Sequence, residues 1–115
     1  MIAVIFEVTL ADGGRDGYLQ WAARLAEQLG TMDGFVSIER FQSLNRPDRL
    51  LSLSFWRDEA ALAAWRKLES HRMAQAAGRG GLFADYRLRV AAVLRDYGLD
   101  EREQAPPDSR AAHSA

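Results

Sequence analysis

The sequence predicts an α+β fold in which four antiparallel strands form one sheet and two helices cover one of its faces. Three observations carry this. Four segments are rich in β-branched and aromatic residues or alternate with period two: Ile2 to Leu10, Phe35 to Ser43, Leu50 to Trp56 and Phe83 to Tyr97. Two others carry helical spacing, Asp16 to Leu29 and the stretch from Asp58 to Ala77. The order strand, helix, strand, strand, helix, strand is the βαββαβ pattern of a split βαβ, ferredoxin-like arrangement. At 115 residues the chain suits one domain, expected over residues 1–97. The polar remainder, 98–115, reads as a flexible tail.

Composition removes several function classes. Net charge is −1, and 14 arginines are scattered among 16 acids, so no basic stripe forms for nucleic acid or an anionic membrane surface. There is no cysteine, which excludes disulfides, thiolate nucleophiles and thiolate metal sites. The apolar start, Met1 to Phe6, lacks a basic flank and reaches Glu7 too soon for a signal peptide. No run approaches the roughly 18 apolar residues of a membrane span. A cytoplasmic location is the expectation.

The elements follow in order. Along the first strand, Ile2, Val4, Phe6 and Val8 share one face, and Ala3, Ile5, Glu7 and Thr9 the other. Both faces are apolar enough for an inner strand. Asp12-Gly13-Gly14 forms a turn. In the first helix, Tyr18, Trp21, Ala22, Leu25, Ala26 and Leu29 fall on one stripe, and Gly30 suits a left-handed C-cap. Phe35, Ser37, Glu39 and Phe41 then alternate against Val36, Ile38 and Arg40. Asn45-Arg46-Pro47-Asp48 turns the chain into Leu50 to Trp56 as a hairpin. There Leu51, Leu53 and Phe55 oppose Ser52, Ser54 and Trp56. Asp58 is a good N-cap for the second helix. Ser70 can start a new segment, although nothing forbids one continuous helix. Gly78 to Gly81 ends it. In the last strand the double alanine at 91–92 marks a candidate bulge.

The chemistry-bearing residues gather around the second helix. His71, in a first turn after Ser70, would sit where a helix N-terminus disfavours a second positive charge. A neutral imidazole there can act as general base near pH 7. Gln75, four residues on, shares its face and could orient it. Glu7 is a carboxylate inside an apolar strand, and such groups are rarely left unpaired; it would meet His71 or Arg72 if its face is the helix-covered one. Trp56, Trp65 and Tyr86 would wall a pocket, and Arg72 would neutralise an anionic intermediate. Each has a plainer alternative: core packing for the aromatics, an ion pair for Glu7 and Arg72, a backbone hydrogen bond for His71. One histidine and one carboxylate fall short of a metal site. No glycine-rich cradle follows a strand, so no nucleotide cofactor is implied.

The stretch Ser54-Phe55-Trp56-Arg57-Asp58-Glu59-Ala60, followed by Ala64-Trp65, His71-Arg72, Ala74-Gln75, Gly78, Tyr86 and Val90, resembles the antibiotic biosynthesis monooxygenase family. The resemblance covers residues 1–97. It implies a dimeric α+β barrel and a cofactor-independent monooxygenase that oxidises an electron-rich aromatic, a quinol or polyphenol, with dioxygen. His71, Glu7 and Gln75 would then be catalytic, and Trp56, Trp65, Tyr86 and Arg72 would hold the substrate. The family also contains haem-degrading members, which keeps a haem-binding alternative open beside a non-catalytic small-molecule-binding dimer. The bare sheet face points independently to a homodimer.

Overall fold

A computed structural model describes the main chain of residues 1–78 and 81–114, and the side chains of 1–69 and 81–112. The elements are β1 (Ile2–Leu10), α1 (Arg15–Leu29), β2 (Phe35–Gln42), β3 (Arg49–Trp56), α2 (Glu59–Gly78), β4 (Phe83–Ala92) and α3 (Pro107–Ser114). The strands form one antiparallel sheet in the order β2-β3-β1-β4. This is the expected ferredoxin-like fold, with one helix added at the C-terminal end. No helix among the described residues is long and apolar enough to cross a membrane.

Alternation decides what each face presents. Val4, Phe6, Val8 and Leu10 of β1 look toward the helices and pack with Tyr18, Ala22, Leu25 and Leu29 of α1 and with Leu62 and Trp65 of α2. Phe6 and Val8 are 4% and 1% exposed, so neither belongs to the open face. That face carries Ile5 and Glu7 instead, beside Leu51, Leu53 and Phe55 of β3 in register with them. On the helix side β3 contributes Leu50, two serines and Trp56, all buried.

Five local expectations are corrected. The α2 helix is continuous through Ser70, so His71 lies in mid-helix and has no N-terminal amides beside it. The alternation of β4 passes 91–92 unbroken; its irregularity falls opposite Thr9 and Leu10. The strand stops at Ala92 because its partner β1 runs out: the last rung is Val93 N–H to the Met1 carbonyl, at 3.0 Å. Gly30 keeps a right-handed conformation (φ −62°), and α1 unwinds through short-range bonds from Thr31 to Gln28 and Met32 to Leu29. In β2, Val36 is an extra residue: Phe35 pairs with Trp56 and Ser37 with Phe55. Phe35 therefore leaves the face of Ser37, Glu39 and Phe41 and joins the core beneath Trp56.

The Asp58 cap is as expected. Its carboxylate accepts the Ala61 N–H at 2.8 Å. The β2–β3 hairpin is tied by Gln42, whose amide donates to the Arg46, Pro47 and Arg49 carbonyls at 3.2, 3.2 and 3.0 Å.

The segment after β4 holds regular structure where a polar tail was expected. Pro107, at the first helical position, needs no donor there, and Asp108 adds a negative charge to the first turn of α3. Arg102 ties the segment together. Its guanidinium donates to the Gly98 carbonyl at 3.1 Å and to Ser109 Oγ at 2.6 Å, and lies 5.2 Å from the Tyr97 ring centre. The radius of gyration is 16.9 Å, against about 13 Å for a compact chain of this size. The chain is therefore elongated, with extents of 55 × 34 × 20 Å.

Gly34 joins α1 to β2 with φ +84°, and a Cβ there would collide with the Ala61 Cβ on α2. A left-handed L-residue costs about 1–2 kcal/mol, and overpacking about 1–3 kcal/mol. Gly34→Ala is therefore expected to lower stability by about 2–5 kcal/mol. Urea denaturation measures this, and a change under 0.5 kcal/mol would refute the close approach.

Candidate active site

The inward alternation of three strands and one stripe of each helix meets at a small polar cavity. From β2 comes Arg40, from β3 Ser52 and Ser54, from α1 Tyr18, and from α2 Glu69. Phe6, Trp21, Leu25 and Trp65 close it with apolar surface. Its volume is about 20 Å³, room for about one water. A substrate would have to displace side chains to enter.

Aromatic packing builds one wall. Trp65 stacks on Trp56 with centroids 6.1 Å apart and planes at 28°. Phe35 meets Trp56 edge-on at 5.4 Å. Trp56 has no exposed surface, and its indole N–H donates to Ser54 Oγ at 3.1 Å. It lies behind Trp65 as core, which fixes the plane of the tryptophan that touches the cavity.

The polar groups are arranged around one cation. Arg40 is half-buried and faces Ser52 across the β2–β3 ladder. Its Nη2 reaches the Ala22 carbonyl only at 3.5 Å, at the outer limit of a hydrogen bond. Its Nε is buried with no partner among the described residues. The Tyr18 phenol lies beside it. Burial pushes the Tyr18 pKa above the ordinary 10.0; the Arg40 guanidinium pulls it partly back, and the charge of Glu69 adds to the rise. Burial likewise raises the Glu69 carboxyl above its ordinary 4.5, opposed by hydrogen bonding from the Trp65 indole. The site thus pairs a fixed positive charge with two groups that favour their neutral forms.

The seven residues singled out in the sequence are separated by this geometry. Trp65 lines the cavity and Trp56 backs it. Glu7 points to the opposite face of the sheet, where Arg89 donates to it at 3.1 Å. It is an ion pair on the open face, turned away from α2. Tyr86 is half-exposed on β4, against Phe6 and Phe83 at 5.7 and 6.5 Å, and is not among the residues lining the cavity. The side chains of His71, Arg72 and Gln75 lie outside the described residues. Sequence reasoning missed Tyr18, Arg40 and Glu69. One signal was present: Ser52 and Ser54 share the face of a tryptophan, so that face had to hold polar groups. Among the described residues no three metal-binding side chains come together.

Comparison with known proteins gives a consistent picture. The family model described as antibiotic biosynthesis monooxygenase matches residues 1–77. A protein of Pyricularia oryzae named jasmonate monooxygenase ABM is 48% identical over 101 residues, which is 88% of this chain and 47% of that protein. The chain therefore spans about half the length of that relative. YqjZ of Bacillus subtilis, uncharacterized, is 29% identical over 81% of this chain and 79% of its own length. Among solved structures, Rv0793 from Mycobacterium tuberculosis superposes with a TM-score of 0.72 at 19% identity, covering 84% of this chain and 98% of that one. PA3566 from Pseudomonas aeruginosa gives 0.67 at 19% identity, with 81% and 93% covered. These two likenesses show the fold.

The Glu69 environment has a pH signature. The folded state holds this proton more tightly than the unfolded chain. Its contribution to stability is therefore intact below about pH 4.5 and is lost as pH rises through the higher folded value. Glu69→Gln, which cannot ionise, is expected to be more stable than the parent at pH 7, with the difference closing at pH 4. Urea midpoints across that range measure it; a constant difference would refute the assignment.

Proposed function

Because the chain belongs to the antibiotic biosynthesis monooxygenase family, we propose that it is a cofactor-independent monooxygenase that oxidises a small electron-rich aromatic, a quinol or polyphenol, with dioxygen. The observation that carries this reading is the small cavity between sheet and helices, walled by Trp21 and Trp65 and furnished with Tyr18, Arg40 and Glu69. In our reading His71 on α2 takes the substrate hydroxyl proton, with Gln75 orienting it and Arg72 near the developing charge. Glu7, on the other face of the sheet, has no part in this step within one chain. The phenolate places negative charge on a ring carbon. That carbon gives its electron pair to dioxygen, a C–O bond forms, and the peroxide takes up a proton. Loss of water leaves the quinone. One oxygen atom enters the substrate and the other departs as water with two substrate hydrogens. Excluding bulk water keeps the charged species from being quenched before oxygen reaches it.

An oxygen electrode tests this with a panel of quinols and no added metal or flavin. One dioxygen should disappear per substrate. His71→Ala should lower kcat by about 10²- to 10⁴-fold, the usual weight of a general base; unchanged activity would remove the mechanism. Tight retention of a ligand with no oxygen uptake would make the chain a binding dimer instead.

The same reading includes a homodimer built from the open sheet faces. Ile5, Leu51, Leu53 and Phe55 form its apolar stripe, and Phe41 and Val36 are 42% and 55% exposed beside it. A groove of about 380 Å³ runs between Met1, Val36, Phe55 and Val93. A stable dimer needs about 800 Å² from each partner, which a four-stranded face can supply. Leu53→Arg should turn the dimer into a monomer in light scattering at micromolar concentration. A parent chain that is already monomeric there would overturn the dimer.

A further inference from the structure

We propose that Arg40, with Tyr18 and Ser52 around it, is a carboxylate-binding subsite, and that the natural substrate or ligand is an amphipathic organic acid whose apolar body lies against Trp21, Leu25 and Trp65. The inference rests on the reading that this cavity is the substrate site, and it adds the charge of what enters.

Among the described residues Arg40 is an uncompensated cation. The ion pairs among the described residues are Arg46–Asp48, Arg57–Asp33, Arg57–Asp58 and Arg89–Glu7; none involves Arg40. A half-buried guanidinium without a counter-ion is costly. Ordinary core design would neutralise it or replace it with an apolar residue. Here the nearest groups do neither. Tyr18 offers a phenol oxygen, Ser52 a hydroxyl across the ladder, and Ala22 a carbonyl at 3.5 Å. The Nε donor is buried and unpaired among the described residues. Glu69 lines the same cavity, yet its carboxyl is shifted toward the neutral form, the opposite of what an ion pair with Arg40 would produce.

The geometry suits a carboxylate. A guanidinium presents parallel N–H groups that match two carboxylate oxygens, and a free Nε beside a weakly engaged Nη2 leaves such an edge available. The cavity's room for one water is the space that one incoming oxygen takes by displacement. A phenol and a hydroxyl beside it can donate to the second oxygen. The remaining walls are aromatic and aliphatic, so the rest of the ligand must be apolar.

The test uses 2-naphthoate, phenylacetate and octanoate, each against its methyl ester, with the urea midpoint and isothermal titration as readouts. At least one acid should bind and raise the midpoint while its ester does not. Arg40→Met should weaken that binding by about ten- to hundredfold, the weight of hydrogen bonds to a charged group. The same variant should be as stable as the parent or more so without ligand, because it removes an unpaired charge. Arg40→Lys, which keeps the charge and loses the fork, should fall between the two. Equal binding of acid and ester, no binding by any acid, or an Arg40→Met chain that is destabilised yet still prefers the acid would each overturn the proposal. Binding needs no turnover, so a chain that consumes no oxygen leaves this subsite standing. Conversely, oxygen uptake with a carboxylated quinol that is unmoved by Arg40→Met would keep the monooxygenase and remove the subsite.

Discussion

The structure depends on the way β3 is turned. Leu51, Leu53 and Phe55 look away from the helices, and Ser52 and Ser54 look into the core. A strand in a one-sided sheet ordinarily does the reverse. Two consequences follow at once. The core receives buried hydroxyls that must find partners, since an unbonded one costs about 1–3 kcal/mol. The outer face receives an apolar stripe that two helices on the other side cannot cover. The interior polar site and the open apolar face are therefore two results of a single strand orientation.

Aromatic packing makes that orientation tolerable. Trp56 ends β3 on the inner face, and its indole N–H gives Ser54 a donor at 3.1 Å. The same ring supports Trp65 on α2 and is held from below by Phe35. A second aromatic group, Tyr18, Trp21 and Phe83, with centroids 5.4 to 5.9 Å apart, closes the other end. Between these two rigid clusters the sheet can hold Arg40 and two serines without collapsing onto them. Aromatic pairs of this kind contribute about 0.5–1.5 kcal/mol beyond area burial, which helps offset the cost of the polar groups between them.

Much of this was legible in the chain. The βαββαβ order, the buried stripe of α1, the Asp58 cap and the split of β3 into Leu-Leu-Phe and Ser-Ser-Trp faces all follow from local chemistry. The sequence did not say which face of β1 meets the helices, because Phe6 and Val8 on one side and Ile5 on the other are all apolar. A place for Glu7 in the site rests on that open choice, and tertiary packing turns it outward to Arg89. Arg40 was hidden for a related reason. Alternation put it with Ile38, but only the packing of α1 over β2 makes that face interior. Glu69 was hidden because its significance depends on burial by three other elements. The continuity of α2 through Ser70 was left undecided by a residue that tolerates either state.

The extra residue at Val36 has a consequence for how this fold can change. It acts as a phase shift within β2. The half before it keeps Phe35 under Trp56, and the half after it keeps Ile38 and Arg40 inward and Phe41 outward. Because the shift lies between them, the aromatic support and the charged residue are not locked to one common register. Variation at Phe35 can retune the tryptophan wall while Arg40 stays where it is. Variation at position 40 can change the charge of the cavity without disturbing that wall. A lineage carrying this irregularity can thus explore new ligands through one half of a strand while the other half preserves the fold.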